Sequence, residues 1–501
     1  MKRNHLATML VLALAILATQ AGAVQSKYVF FFVGDGMSQA QIQATEAYLT
    51  QVHGGSAREA ADLMKPENRL NMSKLPVAGI QTTYDAHALM TDSASAGTAF
   101  ACGVKTLSGV IGMNDTKTIS YKSVAQLAKE QGRRVGVISS VSLDHATPAS
   151  FYASVPSRGQ MNEIGRQMAL TGYEFFGGGG LAAPTGAVNV WDLLADNGYT
   201  VITGRDEILN LKNAWKDKVV CINQWLQDAA AMPYAIDAPT TTVNVSLAEM
   251  TEVAIECLLP NRRWCDRGFF LMVEGGKIDW ACHANDAMAS IGDMLDFDAA
   301  VGVALKFYEK YPSQTLIVVT GDHETGGMSI GHATTAYTAY YERLLGQTRS
   351  FQYFGANQWP AHKAAYAAGY DWTLPNNLES NADMLALMQD VFGLKWADLN
   401  AYQKEKLEDA YDKSMSGANN NSAPENTLLY GGYEPIIVTI THILNERASI
   451  GWSSYSHTGV PVPVFAQGRC ARYFEGFYDN TDIAKNLVKA MGIKADLPVV
   501  K

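Results

Sequence analysis

The chain has 501 residues, of which 48% are hydrophobic and 18% charged, a composition typical of a folded globular protein and unlike that of a disordered one. Its formal net charge is −10 at pH 7. A chain this acidic binds the nucleic-acid backbone poorly. We therefore exclude that function class and expect a small-molecule partner. An anionic substrate is still compatible with this charge where bound metal ions reverse the local field.

The N-terminal segment has the three parts of a secretory signal peptide. Lys2 and Arg3 form a basic start, residues 6–19 are almost entirely apolar, and small residues at 21–23 provide a cleavage site. The alternative is a membrane anchor, but the apolar run is shorter than the roughly 20 residues that a membrane span needs. We therefore predict a signal peptide over residues 1–23, no membrane attachment, and a mature protein that is exported to the periplasm or secreted.

Further along, short apolar runs alternate with longer helical ones. Buried strands are predicted at 28–33, 134–139, 269–273, 316–320 and 462–465, and helices at 286–311, 382–392 and 397–411. This alternation predicts an α/β fold with a mainly parallel central sheet and helices on both faces. A glycine run at 177–180 follows no clear strand, so we interpret it as a tight loop and not as a nucleotide-binding turn.

The composition of the sequence changes between about 332 and 430. Aromatic residues are frequent there, and the stretch 414–423 is polar and loop-like. We interpret 332–430 as an insertion in a core that spans 24–331 and resumes over 431–501; the alternative is a simple continuation of the α/β domain. Six cysteines are present, and Cys257 with Cys265 is the best candidate for a disulfide. The alternative is that all six are buried thiols.

Polar groups follow four of the predicted strands. The first strand is followed by Asp35, the second by Asp144, His145 and Thr147, the third by Glu274, Asp279 and His283, and the fourth by Asp322 and His323. Because open α/β sheets bind ligands beyond the carboxyl ends of their strands, these groups point to one active site. Imidazole and carboxylate are the ligands that zinc prefers, and their recurrence at several strand ends favours metal binding over isolated structural pairs.

Two spacings refine this hypothesis. Asp279 and His283 are four residues apart, so a helical turn would present both on one face. Ser93 begins a run of small residues, 93–99, that is typical of a closely packed helix start, where free backbone N–H groups form an anion site. The alternative is that Asp92 or Ser93 simply caps a buried helix. A nucleophilic serine needs activation, which metal coordination can supply.

These motifs together resemble the alkaline phosphatase family. The resemblance is carried by Gly34-Asp35-Gly36-Met37, Asp92-Ser93-Ala94 with Gly97-Thr98-Ala99, His145-Ala146-Thr147-Pro148-Ala149, Gly321-Asp322-His323-Glu324-Thr325-Gly326-Gly327 and Ser456-His457-Thr458-Gly459. They occur in family order and cover about 28–331 and 450–470. Any one of them is weak, but jointly they are specific.

The resemblance implies hydrolysis of phosphate monoesters through a phosphoserine on Ser93, with two zinc ions and one magnesium ion. By the family's pattern, the first zinc would be held by Asp279, His283 and His457, the second by Asp35, Asp322 and His323, and magnesium by Asp35, Thr147 and Glu274. Arg158 matches the arginine that clamps the phosphate, and its planar fork suits two phosphate oxygens. Asp92, His145 and Trp280 would lie beside the bound phosphate.

Two of these positions depart from the best-known bacterial pattern, since His145 replaces an aspartate and Trp280 a lysine. This pair and the long gap between His323 and His457 resemble the Vibrio-type alkaline phosphatases. The missing lysine predicts weak inhibition by product phosphate and loose magnesium retention; the alternative is that Trp280 only packs. The same resemblance implies a homodimer, with the insertion in that gap at the interface or acting as a lid.

Two other functions remain open at this stage. The same superfamily includes phosphodiesterases with a similar zinc shell, although these would lack the arginine clamp and the third metal. A non-catalytic zinc- or phosphate-binding protein is the other alternative, but binding alone does not require a nucleophile such as Ser93.

Overall fold

A computed structural model describes residues 25–214, 216–238, 243–259 and 266–501 of the chain. The predicted signal peptide and Cys265, the proposed partner of Cys257, lie outside the described residues. Within the described ranges, no helix combines the length and the apolar character that crossing a bilayer requires.

A ten-stranded sheet forms the centre of the molecule, and its strands are numbered here in chain order. They are β1 (Tyr28–Gly34), β2 (Val77–Gln81), β3 (Arg134–Ser139), β4 (Phe175–Gly178), β5 (Thr200–Ile202), β6 (Val219–Ile222), β7 (Phe269–Gly275), β8 (Thr315–Gly321), β9 (Val462–Gly468) and β10 (Gly476–Tyr478). The spatial order is β10-β2-β9-β8-β1-β7-β3-β4-β6-β5. Within this sheet only β9 runs antiparallel to its neighbours. The mainly parallel α/β fold is therefore confirmed.

The helices of the described residues cover the sheet and build the insertion. They are α1 (Gln39–Val52), α2 (Ala60–Leu63), α3 (Ser93–Cys102), α4 (Val124–Glu130), α5 (Ala146–Ala149), α6 (Met161–Ala169), α7 (Val190–Asp196), α8 (Arg205–Leu209), α9 (Leu247–Leu258), α10 (Lys277–His283), α11 (Ala287–Lys310), α12 (Phe351–Ala356), α13 (Gln358–Tyr366), α14 (Ala382–Phe392), α15 (Ala401–Ser416), α16 (Ala423–Tyr430), α17 (Pro435–Ala448) and α18 (Thr481–Met491).

Alternate residues of the central strands pack into two separate hydrophobic clusters. Phe31 of β1 belongs to a cluster that includes residues of α3, α4 and α18, whereas Phe30 and Phe32 belong to a cluster that includes residues of α9 and α11. This follows from the alternation of side chains along a strand. The sheet is thus covered by helices on both faces, as the sequence predicted.

The aromatic-rich region has a hydrophobic cluster of its own. Its members come from the predicted insertion and also from α17, which contributes Ile436 to Ile443. Two sequence predictions are wrong in detail here. The helix predicted at 397–411 begins at Ala401, after its N-cap Asn400. It extends into the first residues of the loop predicted at 414–423 and ends at Ser416, before Gly417 in a left-handed conformation. The extent of the insertion as a domain stays a prediction.

The glycine run at 177–180 is also placed differently from the prediction. Gly177 and Gly178 are the last residues of β4, so the run begins within a sheet strand and not after it. Gly178 has φ +125°, and a Cβ there would lie 1.9 Å from the carbonyl oxygen of Ser139 on β3. Glycine is required because the two backbones approach too closely for any side chain.

Candidate active site

The carboxyl ends of the three central strands are aligned and bring their polar residues together. Gly34 at the end of β1 pairs with Gly275 of β7 on one side and with Gly321 of β8 on the other. Asp35 and Asp322 follow two of these glycines directly, and Glu274 precedes the third. All three carboxylates are fully buried. The edge that the sequence predicted as a ligand site therefore carries a dense group of acids.

A first group of donor atoms comes from Asp279, His283 and His457. The Nε2 atoms of the two histidines lie 3.1 Å apart, and each lies 3.3–3.4 Å from a carboxylate oxygen of Asp279. The two Nδ1 atoms donate hydrogen bonds to the carbonyl oxygens of Tyr455 and Thr91. In the neutral rings both Nε2 atoms therefore direct lone pairs at each other. Ligands about 2.0–2.1 Å from a tetrahedral ion would be separated by about 3.3 Å, so the group fits a zinc ion.

A second group is formed by Asp35, Asp322 and His323. Nε2 of His323 lies 3.3 Å from an oxygen of each carboxylate. These three facing atoms (Oδ1 of Asp35, Oδ2 of Asp322 and Nε2 of His323) are buried and have no hydrogen-bond partner in the structure. Unpaired buried polar atoms are costly, and three that converge on one point fit a cation. The other oxygen of Asp322 accepts hydrogen bonds from the amides of Gly36 and His323, which fixes the carboxylate.

A third group lies on the other side of Asp35. The Thr147 hydroxyl lies 3.4 Å from Oδ2 of Asp35, and Oε1 of Glu274 is buried without a hydrogen-bond partner. The hydroxyl of Ser139 donates to the other oxygen of Glu274. His145 also offers a nitrogen to this group, within 4.8 Å of atoms of Asp35 and Glu274. Oxygen-rich groups of this kind suit magnesium.

Ser93 is the first residue of α3 and is almost completely buried. The residue that caps this helix is Asp92, whose Oδ1 accepts from the amide of Ser95 at 2.9 Å. The Ser93 hydroxyl makes no hydrogen bond with any described residue. It therefore lies at the positive end of a helix without a capping role of its own.

Arg158 is held from both sides. Its Nη1 donates to Oδ2 of Asp92 at 2.9 Å, and its Nη2 lies 2.9 Å from Nε2 of His145. The ring of His145 makes an edge-to-face contact with Trp280, with centroids 5.9 Å apart. The structure thus joins Asp92, Arg158, His145 and Trp280 into one connected group at the start of α3, and their role in binding phosphate stays a prediction.

Burial and mutual repulsion dominate the electrostatics of these acids. Burial, followed by the charges of Asp322, Asp279 and Glu274, raises the pKa of Asp35 well above its usual value. Burial likewise raises the pKa of Glu274 and of Asp322 to about 7. Burial and the neighbouring Arg158 lower the pKa of His145 to about 3. Bound cations would remove this repulsion, which is a further reason why the donor groups fit metal ions.

Three polar neighbours of the site are absent from the sequence prediction. Ser139 bonds to Glu274, the Thr325 hydroxyl donates to Asp279 at 2.5 Å, and the buried Lys277 begins helix α10. Ser139 ends a predicted strand and Thr325 lies two residues after His323, so their positions in the motifs were available as signals. Lys277 had no such signal, because its burial depends on distant residues.

An α/β sheet with buried groups of metal-binding side chains at its carboxyl edge defines a candidate metalloenzyme. The alkaline phosphatase family matches residues 26–174 and 185–493 of the chain, which therefore belongs to that family. Alkaline phosphatase 3 of Bacillus subtilis is 33% identical over 424 residues, which are 83% of this chain and 80% of that protein.

Solved structures agree with this assignment. A cold-active alkaline phosphatase from a Shewanella psychrophile has a TM-score of 0.71 at 28% identity, covering 93% of this chain and 99% of that one. The Thermus thermophilus alkaline phosphatase has a TM-score of 0.72 at 26% identity, covering 95% and 93%. The protein is thus a phosphoric monoester hydrolase with candidate metal sites, and phosphate monoesters are its substrate class.

Proposed function

We propose that Ser93 is the nucleophile of this alkaline phosphatase and that Arg158 clamps the phosphoryl group. We further propose that the three donor groups hold two zinc ions and one magnesium ion, as assigned from the sequence. The observation that carries the proposal is the convergence of unpaired, buried donor atoms, Oδ1 of Asp35, Oδ2 of Asp322 and Nε2 of His323, at the sheet edge that follows β1 and β8.

The chain's own residues support an in-line displacement. The Ser93 oxygen would form a bond to phosphorus while the bond to the leaving oxygen breaks, and water would then displace the serine to release phosphate. Asp92 and His145 hold the Arg158 fork, so it can meet two phosphoryl oxygens without losing side-chain freedom at that moment. The positive end of α3 favours the charge that develops there.

Metal ions would supply what these side chains do not. Zinc, when bound, lowers the pKa of a neighbouring hydroxyl or water and stabilises negative charge on a leaving oxygen. The Ser93 hydroxyl makes no hydrogen bond with a side chain among the described residues, so none of them is positioned as a general base for its proton. This supports a nucleophile whose activation depends on metal.

Hydrolysis of p-nitrophenyl phosphate at alkaline pH by the purified mature protein tests the proposal. Activity should fall on chelation, return when both zinc and magnesium are added, and drop by at least about 10³-fold in Ser93→Ala. Activity on bis-p-nitrophenyl phosphate alone would indicate the phosphodiesterase instead. Stoichiometric zinc without either activity would indicate a binding protein.

We also propose export and homodimerisation. The N-terminal charge and apolar pattern supports export, which N-terminal sequencing of the secreted protein would test by showing cleavage after Ala23. Exposed large side chains on the insertion, including Tyr337, Tyr402 and Leu428, support a subunit interface there. Light scattering should give twice the subunit mass for the wild type and a lower mass for Leu428→Glu; a monomeric wild type would contradict the dimer.

A further inference from the structure

Four aromatic residues form a series of contacts beside the first donor group. Trp280 belongs to the same helix as Asp279 and His283, and Tyr455 accepts a hydrogen bond from Nδ1 of His283 through its carbonyl oxygen, at 2.6 Å. Tyr433 lies next to Tyr455, with ring centroids 5.9 Å apart, and the ring centroid of Phe351 is also 5.9 Å from that of Tyr433. We call Trp280, Phe351, Tyr433 and Tyr455 the aromatic wall.

The wall is continuous with the phosphate-binding residues. Trp280 contacts His145, which in turn meets Arg158, and Trp280 and Phe351 pack against the same buried residues, which include Tyr234 and Ala281. Burial is the main cause that raises the pKa of the Tyr433 phenol, and the charge of the Asp279 carboxylate is the next. The wall therefore extends from the residues that would hold the phosphoryl group to those of the first donor group.

All four rings are only partly buried, unlike the aromatic residues of the strands β1, β4 and β7. The hydroxyl of Tyr455 donates to the carbonyl of Leu429, whereas that of Tyr433 makes no hydrogen bond with any described residue. Several partly exposed rings in one place leave apolar surface in water, and such a concentration marks a binding surface more often than single exposed residues do.

A buried lysine connects the aromatic wall to helix α10, which carries Asp279 and His283. Nζ of Lys277 lies 3.7 Å from the ring centroid of Tyr234 and 4.9 Å from that of Trp280. It also donates to Oε1 of Gln352, the neighbour of Phe351 on α12, at 3.1 Å. The amide of Phe351 donates to Asp286, which caps the next helix, α11. The insertion is thereby connected to the helix that carries Asp279, and the rings are held in place before any ligand binds.

We propose that the aromatic wall binds the leaving group of the substrate, so that phosphate monoesters of planar aromatic alcohols bind more tightly than those of small alkyl alcohols. This inference rests on the proposed function, because the leaving oxygen is expected beside Asp279, His283 and His457. Stacking and edge-to-face contacts with aromatic rings favour planar apolar groups, and a preformed wall loses little side-chain freedom on binding.

Phosphonates provide the test, because they carry the same anionic head and are not hydrolysed. Competitive inhibition constants of benzylphosphonate and methylphosphonate would be measured on the metal-loaded enzyme against p-nitrophenyl phosphate. We expect benzylphosphonate to bind about tenfold more tightly to the wild type. In the Phe351→Leu/Tyr433→Leu double variant this ratio should fall to about twofold, while the constant for methylphosphonate stays unchanged.

Phe477→Leu, on the exposed edge strand β10 and outside the wall, is the matched control and should keep the tenfold ratio. An unchanged methylphosphonate constant also shows that the double variant is folded. Equal inhibition of the wild type by both phosphonates, or a ratio that the double variant preserves, would overturn the wall. Absence of inhibition by methylphosphonate would instead contradict the phosphoryl site on which the inference rests.

Discussion

Both arms of the Arg158 guanidinium are occupied by protein partners before any substrate arrives. Asp92 bonds to one arm, and the same carboxylate also accepts from the amides of Ser95 and Gly109, so the arginine is fixed to the start of α3. His145 holds the other arm as a neutral ring, since burial and Arg158 itself lower its pKa to about 3. Arg158, the proposed phosphate clamp, is thus positioned by the start of the helix that carries Ser93.

Asp92→Asn tests this positioning. Asparagine caps helices as well as aspartate does, so the melting temperature should change little. An amide can accept from Ser95 only by turning its NH₂ group toward Gly109 and Arg158, which removes the charged hydrogen bond. Such a bond is worth about 1.5–3 kcal/mol, so kcat/KM should fall about 10- to 100-fold. Wild-type kinetics in the variant would show that Asp92 does not position Arg158.

The residue at position 280 is expected to affect how tightly the product phosphate is bound. A lysine at this position would add an ammonium group beside His145, which the Trp280 ring contacts and which meets Arg158. We predict that Trp280→Lys lowers the inhibition constant of inorganic phosphate at least about tenfold, through one added charge contact. Trp280→Phe, which keeps the ring and adds no charge, is the control. An unchanged or higher constant in the lysine variant would contradict the prediction.

At the scale of the elements, buried carboxylates fix loops to helix α11. Asp298 accepts from the amides of Asn71 and Met72 at 2.8 and 2.9 Å and is almost completely buried. Asp286, at the start of the same helix, accepts from Gln347 and Phe351 of the aromatic-rich region. One helix therefore connects the core, an early loop and the insertion, and its acids carry part of the pH dependence of folding.

Burial raises the pKa of Asp298 to about 6, from a usual value of 3.8. The folded state consequently binds a proton more tightly than the unfolded chain, so this group adds stability as the pH falls below 6 and loses that contribution as the pH rises through 6. We predict that the free energy of unfolding of the wild type, relative to Asp298→Asn, is about 1 kcal/mol larger at pH 5 than at pH 8. Urea titrations of the wild type and of Asp298→Asn at pH 5 and pH 8 measure these free energies. A difference between the two proteins that does not depend on pH would contradict the raised pKa of Asp298.

The whole molecule shows which levels of structure the sequence could predict. Local patterns placed the strand at 134–139 at its observed bounds and the helix at 382–392 likewise, because hydrophobic periodicity is a local property. They could not predict that β9 runs antiparallel, since strand direction depends on chain paths elsewhere. The local patterns also missed β4, where Gly178 is required because its backbone lies against the carbonyl oxygen of Ser139.

The site shows the same division. The i, i+4 spacing was enough to place Asp279 and His283 together on one helix face. Nothing local links His457 to them, since it lies 174 residues beyond His283. The family resemblance supplied that long-range pairing. Contacts such as Arg158 with His145, which depend on the packing of two loops, required the structure.

Removal of the metals should affect the folding of the whole molecule, because the acids at the sheet edge belong to β1, β7, β8 and the turns that follow them. Without cations, Glu274 and Asp322 have pKa values raised to about 7 by burial. The metal-free fold therefore gains stability from their protonation below pH 7 and loses it as the pH rises through 7. At pH 9, in the absence of metal, these carboxylates are charged and buried, and one oxygen of each has no hydrogen-bond partner.

We therefore predict that chelation lowers the melting temperature at pH 9 by about 4 °C for each metal removed, since a metal at 1,000 times its Kd adds about 4 kcal/mol and a chain of this length unfolds with an entropy of about 1 kcal/mol/K. The loss should be smaller at pH 6, where protonation partly replaces the cations and metal affinity is itself lower. Calorimetry at both pH values, with metal-saturated chelator as the control, measures the two losses. A melting temperature that chelation does not change would mean that these acids are not held by metal. An equal loss at both pH values would mean that their charge is compensated by something other than protons.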